Sequence, residues 1–80
     1  SISVWIFKYK EVRILNYKLL KTFRKRYGFT QAEVAEYAGV SRQAFSNYER
    51  GLREPSIKVL IMLADLYHIS LDELVGREQK

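Results

Sequence analysis

The stretch Thr30–Glu49, TQAEVAEYAGVSRQAFSNYE, decides how this chain folds. Thr30 is followed three residues later by Glu33, the spacing at which a hydroxyl and a carboxylate satisfy each other's backbone amides at a helix start. A helix is therefore predicted from about Gln31. Val34, Ala35 and Ala38 recur at helical spacing and put small apolar groups on one face. Gly39, free to take a positive φ, predicts the end of that helix. Ser41 can cap a second helix, about Arg42–Glu49, and leaves almost no loop between the two. On this second helix Phe45 and Tyr48 share one face, while Arg42, Gln43, Ser46 and Asn47 share the other. Ala35 is small where the two helices must cross, and Val40 can plug the turn.

Working outward, an earlier helix is predicted from Asn16 or a neighbour to about Tyr27. Leu19, Leu20, Phe23 and Tyr27 form its inner stripe, with Lys18, Lys21, Lys25 and Arg26 in water. Beyond Glu49, Gly51 ends the second helix of the pair and Arg50–Pro55 reads as a polar loop. Ser56 caps a further helix whose Ile57, Leu60, Leu63, Ala64 and Tyr67 face the core. Ser70 and Glu73 repeat the capping-box spacing and open a short last helix to about Leu74, closed by Gly76. The expectation is an all-α, compact five-helix domain over residues 15–76, with residues 77–80 fraying. Val59, Met62 and Leu66 make a second apolar stripe on the fourth helix, which a single domain should not leave bare.

Residues 1–14, SISVWIFKYKEVRI, are rich in β-branched and aromatic side chains and predict a β-strand. A lone strand needs an edge partner. The simplest is the same strand from a second subunit, so Val4, Trp5, Ile6 and Phe7 join Val59, Met62 and Leu66 as dimerisation candidates. A second reading treats this N-terminal extension as translated leader. Lys10–Glu11–Val12 can be encoded by AAG-GAG-GTN, which resembles a bacterial ribosome-binding site, and Leu15 by a TTG start codon.

Eighty residues allow one domain with a modest core, and no cysteine is present to staple it or to bind metal. No apolar run approaches a membrane span, and Ile2–Phe7 is too short for a signal-peptide core, so a cytoplasmic location is expected. Net charge is +5, yet residues 1–27 hold eight basic side chains against one acidic. Residues 28–80 hold six basic against eight acidic. The positive field belongs to the N-terminal third and suits a polyanion.

TQAEVA, the Gly39–Val40–Ser41 turn, YERG and the later Pro55 together resemble the phage-repressor (Cro/repressor, xenobiotic-response-element) helix-turn-helix family of DNA-binding regulators. The resemblance runs from about Leu15 to Val75. It implies that the helix beginning at Arg42 enters the major groove. There Arg reads guanine through O6 and N7, and Gln or Asn reads adenine through N6 and N7. Arg42, Gln43, Ser46 and Asn47 are the expected base contacts. Gln31 matches the family's phosphate-binding glutamine, and Thr30, Arg50 and Arg53 are expected to reach phosphates too. Arg24 and Glu49 match a family pair that clamps the first helix to the recognition helix.

The function implied is sequence-specific regulation of transcription, as repressor or autoregulator, by a homodimer on an inverted-repeat operator in double-stranded DNA. The rival is a protein-interaction module, such as an antitoxin, that uses the same helices on a protein partner. His68 is the one histidine and lies outside any metal-ligand spacing. Asp72 and Glu73 are adjacent and point apart. No nucleophile–base pair or phosphate-binding glycine loop is present, so neither an enzyme nor a cofactor is expected.

Overall fold

The computed structural model describes residues 16–76. The expected N-terminal strand with Val4, Trp5, Ile6 and Phe7, and the fraying C-terminus, lie outside the described residues. Five helices follow one another: α1 (Lys18–Arg26), α2 (Gln31–Ala38), α3 (Arg42–Glu49), α4 (Ile57–Tyr67) and α5 (Leu71–Val75). The described residues contain no strand.

Local capping chemistry sets most of these boundaries. Thr30 Oγ1 accepts from the Glu33 amide (3.1 Å), and Glu33 Oε1 accepts from the Thr30 amide (2.9 Å), which closes the box at the start of α2. Ser41, Ser56 and Ser70 each accept from the amide three residues on. At Ser70 only this forward half of the expected box forms. Helix α1 starts differently, with Asn16 Oδ1 accepting from the Lys18 amide (3.1 Å).

Two helix ends show why a positive φ is needed. At the end of α3, Gly51 has φ +75°, and the Leu52 amide donates back to the Asn47 carbonyl (2.9 Å). A Cβ there would also stand 2.8 Å from the Tyr17 ring. At the end of α4 the same turn is made by His68, φ 57°, with Ile69 N–H donating to the Ala64 carbonyl (3.0 Å). With histidine in place of glycine, nothing in the sequence marks this left-handed position.

The core gathers Leu20, Phe23, Val34, Ala35, Phe45, Leu60, Leu63, Leu74 and Val75 around Tyr67, which is fully buried. Tyr67 stacks with Phe23 and Tyr27 at centroid distances of 6.1 and 5.7 Å. Helix α2 packs on α3 and α4, α1 packs on α3, and α5 packs on α4 and α1. Val40 sits partly buried against this core at the α2–α3 turn.

Three expectations about facing need correction. Val59 is 6% exposed and belongs to the core, so it is not free for a second subunit. Ile57, expected inside, is 36% exposed, as is Ile61 one turn on. Met62 and Leu66 are half-buried at the other edge of the helix, where Leu66 packs against the core. Helix α4 is apolar on most sides, so its pattern alone could not fix which stripe turns inward. Tyr27, expected in the inner stripe, is instead half-exposed: its ring covers Tyr67 while its hydroxyl donates to the Tyr67 carbonyl (2.9 Å).

Candidate nucleic-acid interface

The α2–α3 pair is built so that one face of α3 is buried and the other is presented. Phe45 is fully buried, Tyr48 nearly so, and their rings meet edge to face at 6.2 Å. With Phe45 and Tyr48 turned inward, the 3.6-residue period leaves Arg42 and Gln43 exposed and Ser46 and Asn47 half-buried. Gln43 Nε2 lies 3.4 Å from Asn47 Oδ1, an i,i+4 contact along the helix surface. Each amide keeps further donors and acceptors for another molecule.

Gln31, at the first position of α2, lines one cleft with Arg42, Gln43 and Ser46. The structure thus brings a residue expected to touch phosphate next to three expected to touch bases. Thr30 is exposed but does not line this cleft, and its Oγ1 already accepts in the helix cap. Arg50 and Arg53 are exposed in the loop that follows α3.

Behind this face lies the ion pair. Arg24 Nε donates to Glu49 Oε2 (2.7 Å) and Nη2 to Oε1 (3.1 Å), a two-pronged contact between α1 and the last residue of α3. Nη1 donates to the Phe29 carbonyl (2.9 Å), which ties in the α1–α2 loop as well. The two side chains are 9% and 3% exposed. Hydrogen bonding to Glu49, opposed by burial, holds the Arg24 pKa above its ordinary value.

Sequence reasoning missed one bond in this network. Gln31 Nε2 donates to Glu49 Oε1 at 2.9 Å. One carboxylate therefore holds the scaffold arginine and the glutamine of the outer cleft together. Gln31 and Glu49 are eighteen positions apart, and only the packing of α2 against α3 makes them neighbours.

Among the described residues no group of His, Cys, Asp or Glu could hold a metal ion. No described helix is long and apolar enough to cross a membrane.

This geometry has known counterparts. The chain is 40% identical over 62 residues to the HTH-type transcriptional regulator ImmR of Bacillus subtilis (strain 168), covering 78% of this chain and 49% of that protein. Among solved structures, a transcriptional regulator from Listeria innocua superposes with a TM-score of 0.76 at 32% identity, over 86% of this chain and 64% of that one. The P22 c2 repressor protein, solved in complex with synthetic operator 9T, gives 0.72 at 30% identity, over 80% of this chain and 97% of that one. The chain spans about half the length of the curated relatives it matches. A family model described as helix-turn-helix matches residues 20–74, well over half of the sequence. The chain belongs to the helix-turn-helix family of DNA-binding transcriptional regulators.

Proposed function

We propose that this chain is the sequence-reading part of a repressor or autoregulator that grips an inverted-repeat operator as a homodimer, with α3 in the major groove. The observation that carries the reading is the outer face of α3 beside Gln31. Arg42, Gln43, Ser46 and Asn47 are hydrogen-bonding and none is acidic, so the face can approach a polyanion and still discriminate base edges. Gln31, Thr30, Arg50 and Arg53 flank it as groups that hold phosphate and set register without reading sequence.

A second copy is favoured by the exposed apolar side chains Leu52, Ile57 and Ile61, of which Leu52 is 65% exposed. Leu52 lies in the loop that carries Arg50 and Arg53, Ile57 and Ile61 lie on the first half of α4, and burying them against a copy would help a small core. Two copies related by a two-fold axis would place their recognition helices about one helical turn of DNA apart, roughly 34 Å.

Selection of bound sequences from a random DNA pool tests this reading. A two-fold symmetric consensus with half-sites about 10 base pairs apart is expected. Recovery of no enriched sequence at low salt would remove the DNA reading and favour a protein partner for the same surface.

A further inference from the structure

A second basic surface adjoins the recognition cleft. A groove between α1 and the end of α3 is lined by Tyr17, Lys18, Lys21, Thr22, Lys25 and Glu49. We infer that this groove seats the sugar–phosphate backbone of the same DNA duplex, outside the phosphates held by Gln31; the inference rests on the DNA-binding reading above.

The lysines stand at i, i+3 and i+7 of α1, so their ammonium groups lie along one strip, and all three are exposed. Like charges at these spacings weaken a helix unless something anionic lies across them. Glu49 does not supply that charge. Its side chain is 3% exposed, and its oxygens already receive Arg24 and Gln31. Among the described residues no carboxylate pairs with these lysines, so the groove offers three cations over a carboxylate whose charge is spent inward.

Its position points to DNA rather than to a free anion. Glu49 links the two: it lines the lysine groove, and Gln31, bonded to its carboxylate, lines the cleft with Arg42, Gln43 and Ser46. Tyr17, which also lines the groove, packs against Gly51 in the loop that carries Arg50 and Arg53. The groove thus adjoins the proposed interface at the Gln31–Glu49 bond and at Gly51. Lysine, a flexible point charge, suits a backbone that must be followed rather than read.

The test measures operator affinity of the full chain from low to high salt. It compares Lys21→Gln, Lys25→Gln and their double variant with Arg26→Gln. Arg26 belongs to the same helix, but its guanidinium lies over the Phe23 ring, 5.0 Å from the centroid. Each lysine variant should lower the slope of log K against log salt by about 0.9 per half-site, and the double by about twice that, with base preference unchanged. Arg26→Gln should leave the slope alone. Ethylation interference on the operator should lose a set of phosphates in the double variant that differs from the set lost in Gln31→Ala. Lysine variants with the wild-type slope, or with the slope of Arg26→Gln, would overturn the groove while leaving specific binding intact. So would loss of binding to anionic vesicles with operator binding unchanged. Failure of the wild-type chain to bind any DNA would instead remove the regulator reading, and the groove with it.

Discussion

Replacing Glu49 by alanine should come close to unfolding the domain. Glu49 receives three hydrogen bonds, from Arg24 Nε (2.7 Å), Arg24 Nη2 (3.1 Å) and Gln31 Nε2 (2.9 Å). Without it the Arg24 guanidinium, 9% exposed, keeps only the Phe29 carbonyl as partner among the described residues. Breaking one side of a buried pair costs about 3–5 kcal/mol, chiefly because the remaining charge is stranded. A domain of this size holds roughly 3–9 kcal/mol in total. Urea unfolding followed by far-UV circular dichroism should show the midpoint collapsing at an unchanged slope. The double variant Arg24→Met/Glu49→Leu should lose less than Glu49→Ala, because no charge is left behind. Arg24→Lys should fall between wild type and Glu49→Ala, since an ammonium cannot reproduce the fork. If Glu49→Ala stayed within about 1 kcal/mol of wild type, the pair would behave as a solvated surface bridge and the reasoning would fail.

Other outcomes are expected in the same set of assays. Arg42→Ala should relax preference at one base pair per half-site by about 1–3 kcal/mol, as seen in binding to a panel of single-base operator variants. Gln31→Ala should weaken all of those sequences alike; equal losses for Arg42→Ala would remove it from base reading. Burial, reinforced by the charge of Glu49 and opposed by Arg24, pushes the Tyr67 phenol up to about 12. Its contribution to stability is therefore fully present below pH 10 and is lost as pH rises toward 12, so Tyr67→Phe should flatten the stability profile across that window. His68 holds φ 57°, so His68→Gly should raise stability by roughly 0.5–1 kcal/mol and His68→Val should lower it, both measured by thermal unfolding.

How much of this could be read from the sequence depends on how far each determinant reaches. A cap is decided within four residues, which is why Thr30, Ser41, Ser56 and Ser70 could be placed from the chain alone. The two faces of α3 were legible for the same reason: two aromatic residues three apart against four polar ones leave one way to orient the helix. Helix α4 is the opposite case. Ile57, Val59, Ile61, Met62 and Leu66 surround it with similar apolarity, so its rotation is chosen by α2 and α5, not by its own pattern. That is why Val59 and Ile57 exchange their expected places. The Gln31–Glu49 bond could not be read either, because it exists only once two helices have crossed.

The same long-range bond ties the buried ion pair to the proposed recognition face. Apolar packing of Phe45 and Tyr48 draws α3 onto the core but tolerates small slides and rotations, since dispersion is non-directional. A two-pronged arginine contact does not, because both N–H···O bonds must stay aligned. Helix α3 is pinned in this way at its last residue, Glu49, and at its first by the Ser41 cap and the short turn after Gly39. With both ends fixed, the direction of Arg42 and Gln43 is set before any ligand arrives, which is what a site on rigid elements requires. Replacing the pair by apolar side chains need not cost folding energy, yet it releases Gln31 and one end of α3. Stability and sequence preference should therefore separate in the Arg24→Met/Glu49→Leu variant, with the fold retained and discrimination between operators blunted.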